Sequence, residues 1–287
     1  MPELPEVEAL RGFLAHACVG RTIARIELAA ISALKTFSVP PSALHGLEVD
    51  AVVRRGKFLG LGAGGLWLVF HLARAGWLTW REAVPATPAR PGRGPLAARV
   101  VFDDDSGFDL TEAGTQKRLA LYVVGDLDEV PGIASLGPDP LGDDFTRARL
   151  DAILDAAGRA QLKGVLRDQH VIAGIGNAYS DEILHAAKLS PFKPASGLSE
   201  AERQTLYAAI QSELTEAVAR SAGMAARQLK GDKKANLRVH GRTGERCDVC
   251  GTTIAEVSFA DSSLQYCPGC QTGGKPLADR RLSRLLK

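Results

Sequence analysis

The spacing of hydrophobic positions changes twice along the chain. Val7, Leu10, Leu14 and Ala17 share one helical face, and Gly20 stops the run. His16 and Cys18, in the same run, read as structural. From Thr22 to Val124 the pattern shifts to short β-type runs. The candidates are 22–28, 49–54, 57–61, 66–72, 77–81, 99–102, 107–110 and 119–124, separated by Gly, Pro and Asp clusters. Many short strands at this spacing predict a sandwich or barrel. Residues 85–95 form a Pro/Gly/Arg-rich loop, and Asp103-Asp104-Asp105 a solvated turn. Ser135-Leu136-Gly137-Pro138-Asp139-Pro140 marks a boundary, after which the pattern is helical. Helices are predicted over 144–157, 162–168 and 177–187, with a long one from Ser199. Ser199 and Glu202 make a capping box for that last helix. Residues 230–236 read as a basic linker, followed by a cysteine module and a tail.

A chain of 287 residues has room for two domains and a small module. With 45% apolar and 24% charged residues it has the composition of an ordinary soluble globular protein. The net charge of +2 does not by itself call for a polyanion partner. The distribution does, because basic residues crowd two stretches. Arg227, Lys230, Lys233, Lys234, Arg238, Arg242 and Arg246 form one; Lys275, Arg280, Arg281, Arg284 and Lys287 load the tail. Local basic clustering is the footprint of phosphate binding. No apolar run approaches a membrane span, and the start lacks a signal-peptide pattern, so a cytosolic location and no membrane partner are expected. Five cysteines in such a chain point to metal rather than disulfides.

Four of them form two pairs, Cys247-Asp-Val-Cys250 and Cys267-Pro-Gly-Cys270, sixteen residues apart. That spacing predicts a zinc ribbon with one structural Zn2+ in a closed four-thiolate site. Metal binding would supply much of the folding energy of so small a module. Gly174-Ile175-Gly176-Asn177-Ala178-Tyr179 precedes a helix start, where Asn177 can cap the helix and exposed amides can meet an anion. Lys163 and Arg167 upstream could add phosphate contacts or simply face solvent. Arg54-Arg55-Gly56-Lys57 is a basic turn between strands, either a charged hairpin tip or a phosphate contact. The opening Met1-Pro2-Glu3-Leu4-Pro5-Glu6-Val7-Glu8 also reads two ways. It is a helix start with acidic residues favoured by the dipole. It is also a nucleophile in waiting. Removal of Met1 would give Pro2 a free secondary amine, which can attack an aldehyde-like carbon with Glu3 or Glu6 as acid or base.

Together these stretches resemble the formamidopyrimidine-DNA glycosylase/endonuclease VIII family, and the formamidopyrimidine branch more closely. The matching residues are Pro2 to Glu8, Lys57, His71-Leu72, Leu136 to Leu141, Gly174 to Tyr179, and Gly241-Arg242 through Cys270. They run in family order to about Gln271. The resemblance implies an α+β multidomain chain. A β-sandwich with a leading helix (2–134) would precede a helix-two-turn-helix domain (135–236), a zinc finger (237–272) and a basic tail (273–287). It implies a monomer that binds damaged DNA between domains, flips out the damaged nucleotide and uses no nucleotide cofactor. Base flipping costs a few kcal/mol, least for a damaged pair. Pro2 would be the Schiff-base nucleophile and Glu3 the acid/base. Glu6 would support the site, and Lys57 would donate a proton in β-elimination. His71, Lys163 and Asn177 would hold the DNA backbone. Arg74, Lys117, Arg118, Arg159, Tyr179 and Arg242 are the remaining expected DNA contacts.

Several positions depart from the family pattern. Arg74 stands where the branch usually has a Met wedge. Gly114-Thr115-Gln116-Lys117-Arg118 replaces the usual Asp-Pro-Arg-Arg-Phe-Gly loop. Asp261-Ser262-Ser263 lies where the finger usually carries an Arg, and His240 replaces a Tyr. The covalent centre is thus intact while the lesion-reading parts are rebuilt. The expectation is a glycosylase and AP lyase in which β-elimination dominates over δ-elimination. The alternative is an AP lyase or non-catalytic damage binder with little base excision, favouring single-stranded or bulky lesions.

Overall fold

The structure, a computed structural model, describes residues 1–92, 94–259 and 262–278. Its contacts divide the chain into two compact units. One comprises Met1–Leu136 with Ser221–Leu229, the other Gly137–Arg220 with Lys230–Lys287.

In the first unit, helix α1 (Leu4–Cys18) leads into eight strands. These are β1 (Ile23–Leu28), β2 (Val49–Arg55), β3 (Phe58–Ala63), β4 (Leu66–His71), β5 (Gly76–Arg81), β6 (Leu96–Phe102), β7 (Gly107–Glu112) and β8 (Ala120–Val124). They form two four-stranded antiparallel sheets, ordered β1-β6-β7-β5 and β2-β3-β4-β8. The eight strands are those the short β-type runs predict, with ends that agree to within three residues. The sandwich follows from the residues that the two sheets share in one core. Leu59, Leu61, Leu68, Phe70, Val100, Phe102, Phe108 and Leu110 are buried in one core with Leu10 and Leu14 of α1. The 85–95 loop is not loose throughout. The Ala89 amide donates to the Glu27 carboxylate at 2.8 Å, and the Gly92 amide to the Ala29 carbonyl at 3.2 Å. A short α2 (Pro131–Ala134) closes this part of the chain.

The second unit holds α3 (Arg147–Ala157), α4 (Leu162–Arg167), α5 (Asn177–Ala186) and α6 (Glu200–Ser221). The predicted capping box at the start of α6 is present. The Ser199 amide donates to Glu202 at 2.9 Å, and the Glu202 amide to the Ser199 hydroxyl at 3.3 Å. The expected basic linker at 230–236 is helical instead. Those residues are the second half of α7 (Ala226–Asn236). The reason lies in the apolar residues before them, because Ala226 and Leu229 are buried in the core of the first unit. That packing nucleates a helix whose Arg, Gln, Leu and Lys residues have good propensity to continue it. The finger follows, with the hairpin β9 (Ala255–Ser258) and β10 (Ser263–Tyr266), then α8 (Pro268–Gln271). The tail cations Arg280, Arg281, Arg284 and Lys287, and Asp261, lie outside the described residues.

The turn from β4 to β5 is a tight one. Ala73 takes the left-handed backbone at φ 52°, which costs an L-residue about 1–2 kcal/mol. Three residues on, Gly76 donates to the Leu72 carbonyl at 2.8 Å, and a Cβ at Gly76 would lie 2.0 Å from that oxygen. Gly76→Ala should therefore force the turn apart and cost about 1–3 kcal/mol of unfolding free energy, measured by denaturant titration. An unchanged midpoint would show that the turn can open without loss.

Candidate nucleic-acid site and metal centre

The start of α1 is built from carboxylates used against each other. Glu3 and Glu6 form a reciprocal capping box, with the Glu3 amide donating to Glu6 Oε2 at 2.8 Å. Leu4 and Pro5 open the helix, a position where proline's missing N–H costs nothing. Pro2 is buried, Glu3 and Glu6 are 2% and 4% exposed, and Met1 is exposed. Two carboxylates are thus held out of bulk water at the positive end of a helix. Further along α1, Glu8 pairs with Arg54 of β2 at 2.8 Å and with Arg11 at 2.6 Å. Arg54 also donates to the Gly56 carbonyl at 3.2 Å, and Gly56 is left-handed at φ 54°. This turn presents Lys57, which is only 6% exposed. Of the Arg54-Arg55-Gly56-Lys57 turn only Arg55 is exposed, while Arg54 and Lys57 are drawn in.

His71, at the end of β4, is half-buried with its ring centroid 4.7 Å from that of Phe58. The Ala73 amide donates to its Nδ1 at 3.3 Å, so the neutral ring carries its proton on Nε2. Burial, with the nearby Lys57 charge adding to it, pulls the His71 pKa down to about 4. Arg74 is exposed, as are Lys117 and Arg118 in the β7–β8 loop. That loop is anchored from within. Glu112 accepts the Arg118 and Leu119 amides at 2.9 Å, and the Lys117 ammonium donates to the Glu112 carbonyl.

In the second unit the predicted residues separate into exposed and buried ones. Arg159 is exposed between α3 and α4. Lys163 is neither solvent-facing nor presented for a phosphate. It is 4% exposed, and its ammonium donates to Asp181 at 2.6 Å, the Ser180 hydroxyl at 2.8 Å and the Asn177 carbonyl at 3.0 Å. Asn177 does not cap α5 with its side chain, because Gly176 is the N-cap residue. The Asn177 amide instead donates to the Ser263 carbonyl of β10 at 2.7 Å, and Oδ1 is buried without a partner among the described residues. Tyr179 is buried, its ring 4.7 Å beneath the Lys233 ammonium of α7. Arg242 is half-buried and held by Asp248 at 2.6 Å and Glu245 at 2.7 Å.

Two acidic residues of α5 carry the finger. Glu182 accepts the amides of Arg238, Val239 and His240 at 2.7, 3.0 and 2.8 Å. Asp181 accepts the Gln265 amide at 3.2 Å and faces His240 Nδ1 at 2.7 Å. No sequence signal marked either one, since an Asp-Glu pair in mid-helix reads as an ordinary solvated face.

The four predicted cysteines come together. Cys247 and Cys270 sulfurs are 3.9 Å apart, and Cys250 and Cys267 sulfurs 3.3 Å apart. Sulfurs about 2.3 Å from a zinc ion sit roughly 3.8 Å from each other, so the set fits a tetrahedral metal. Gly269 is required here, because a Cβ would lie 2.4 Å from the Thr252 hydroxyl and 2.9 Å from the Cys250 sulfur. Hydrogen bonds from the Thr252 hydroxyl and amide draw the Cys250 thiol down to about 6, while burial pushes the Cys267 and Cys270 thiols up. One residue the sequence did not flag joins this cluster. His185 of α5 is buried, with Nε2 3.3 Å from the Cys247 sulfur. Cys18, the remaining cysteine, is fully buried in the sandwich, and burial lifts its thiol to about 12. No helix among the described residues is long and apolar enough to cross a membrane.

Known proteins share this organisation. Residues 1–119 match the formamidopyrimidine-DNA glycosylase N-terminal domain, residues 136–228 the formamidopyrimidine-DNA glycosylase H2TH domain, and residues 244–273 the zinc finger found in FPG and IleRS. The formamidopyrimidine-DNA glycosylase of Symbiobacterium thermophilum is 36% identical, over 98% of this chain and 93% of that protein. An uncharacterized formamidopyrimidine-DNA glycosylase-like protein of Mycobacterium tuberculosis is 58% identical over 55% of this chain and 98% of its own length. The crystal structure of MutM (Fpg) from Thermus thermophilus superposes with a TM-score of 0.79 at 32% identity, covering 96% of this chain and all of that one. Lactococcus lactis Fpg bound to DNA containing an AP site gives 0.81 at 27% identity, covering 94% and 99%.

The lowered His71 pKa has a measurable sign. The unfolded chain takes up a proton below about 6.5, which the folded His71 refuses until about pH 4. Its contribution to stability is therefore complete above pH 6.5 and is lost as the pH falls toward 4. Denaturation midpoints of wild type and His71→Gln between pH 7.5 and 4 should converge as the pH falls. Parallel curves would refute the assignment.

Proposed function

The chain belongs to the formamidopyrimidine-DNA glycosylase family of base-excision repair proteins that act on damaged DNA, and on that footing we propose that it cuts through a Schiff base at Pro2, as both glycosylase and AP lyase. The observation that carries this reading is the buried start of α1, where Pro2 precedes two carboxylates locked in a mutual cap. Once Met1 is removed, Pro2 bears a secondary amine. Burial and the positive end of α1 both disfavour its protonated form, so a neutral nucleophile is available near neutral pH. Its lone pair bonds to the anomeric carbon of a flipped nucleotide while the glycosidic bond breaks. The departing base takes a proton, and the sugar ring opens to leave an iminium. Glu3 serves as acid and base in these transfers. Glu3 then takes a proton from the neighbouring sugar carbon, the freed electron pair expels the 3′ phosphate, and Lys57 donates a proton to the departing oxygen. Water finally releases Pro2 from the cleaved strand. Glu6 keeps Glu3 in place through its backbone amide.

Phosphate contacts set the register of such a complex, and specific contacts read the lesion. Arg74, Lys117, Arg118 and Arg159 are exposed cations suited to the backbone, and His71 offers a neutral Nε2–H donor. Asn177 and Arg242 serve the helical unit and finger. Lys163 and Tyr179 act beneath that surface by positioning α5, since both are buried. Cys247, Cys250, Cys267 and Cys270 would hold one structural zinc, which supplies folding free energy and no catalytic step. The protein works as a monomer in the bacterial cytosol, without a nucleotide cofactor. Ser262 and Ser263 offer no cation where the family's finger places one, so β-elimination is the main outcome.

Borohydride should trap the Met-processed protein covalently on an abasic-site oligonucleotide, and Pro2→Gly should weaken or abolish the adduct. Intact DNA binding without any adduct would refute the Schiff-base reading. On an abasic-site duplex the main product should be the unsaturated aldehyde left by β-elimination. A product ending in phosphate on both sides of the gap would refute the assignment of the finger.

A further inference from the structure

Four thiolates around a divalent zinc leave the centre with two surplus negative charges, which hydrogen-bond donors must offset if the site is buried. The finger itself offers backbone donors, such as the Cys270 amide to the Cys267 sulfur at 3.5 Å. A donor from outside the finger also reaches it. His185 Nε2 lies 3.3 Å from the Cys247 sulfur, and the sulfurs of Cys247, Cys267 and Cys270 lie with that nitrogen within 4.8 Å of one another. The residue is 3% exposed, and its other nitrogen, Nδ1, has no partner among the described residues. A buried imidazole with one nitrogen unpartnered and the other aimed at a sulfur is not placed for solubility or for a surface ion pair. If the ring carries its proton on Nε2, that proton points at the sulfur, and Nδ1 is left as an acceptor.

We propose that His185 is a positioning residue of the metal centre, donating its Nε2–H to the Cys247 thiolate and fastening α5 to the bound zinc. The proposal rests on reading the four cysteines as the ligand set. His185 ends a stripe along α5. Asn177, Asp181 and His185 follow at intervals of four residues, with Glu182 beside them. Each touches the finger: Asn177 at the Ser263 carbonyl, Asp181 at the Gln265 amide, Glu182 at three amides, His185 at a metal ligand. Residues spaced this way share one face of a helix. The zinc is thereby tied to the same rigid element that carries Asn177, the proposed phosphate contact, at its other end. Loss of the His185 bond would loosen the metal first.

The test compares full-length wild type, His185→Phe and His185→Gln, first for zinc content and then after exchange with cobalt(II). Wild type should hold one zinc and show a four-thiolate cobalt spectrum. His185→Phe, which fills the space without a donor, should release zinc to a chromogenic chelator about 10-fold faster or more. Its thiolate-to-cobalt charge-transfer band should move to lower energy, because the sulfur regains electron density. His185→Gln, which keeps an N–H donor, should recover part of both effects. Equal release rates and superimposable spectra for wild type and His185→Phe would overturn the proposal. So would a wild-type spectrum of three thiolates and one nitrogen, which would make His185 a ligand. A wild-type protein that binds no metal would instead overturn the four-cysteine reading beneath it.

Discussion

Glu182 is the constraint on which the second unit depends. This carboxylate is almost fully buried, and it keeps its place by accepting three consecutive backbone amides, those of Arg238, Val239 and His240. Burial raises its pKa despite those bonds, so desolvation outweighs them. A charge this costly to bury holds the finger in register because, among the described residues, no other acceptor meets those amides. The finger has little core of its own: Val239, Ile254 and two cysteines form one small cluster, and Val257, Leu264 and Tyr266 another. Lys163 plays the matching part beneath α5, where its ion pair with Asp181 leaves that carboxylate's other oxygen for His240 and Gln265. Removing either partner of such a pair strands a buried charge, which costs far more than the pair itself contributes.

Much of this architecture was legible in the sequence. The eight strands were visible because short β-type runs are punctuated by Gly, Pro and Asp clusters, and the sandwich followed from their number and spacing. The metal centre was visible because paired Cys-x-x-Cys runs have few other uses. What escaped were features that depend on contacts distant in sequence. The basic run 230–236 looked like a linker, because the residues that make it helical, Ala226 and Leu229, act through a core contributed by other segments. Lys163 looked exposed because lysine almost always is, and only the fold supplies Asp181. His185 gave no signal at all, since its partner is 62 residues away.

The α1 terminus shows how one set of groups can serve two purposes. A capping box normally exists to satisfy orphan amides, and here Glu3 and Glu6 do that for each other. The same arrangement immobilises the carboxylate next to Pro2 and excludes water from it. Structure and the proposed chemistry therefore place the same demand on these positions, and for that reason the eight residues by themselves read first as a plain helix start, the case for chemistry coming from the rest of the chain.

The four-residue interval along α5 has a consequence for how this protein can change over time. Point substitutions at Asn177, Asp181, Glu182 or His185 each remove one hold on the finger. A single inserted or deleted residue among them is a different kind of event. It would turn everything beyond it by about 100° around the helix axis. Every later contact would then face away from the finger at once. Substitution along this stretch gives up its contacts one residue at a time, whereas a change in length gives up several together, so variation in length is expected in the loops on either side.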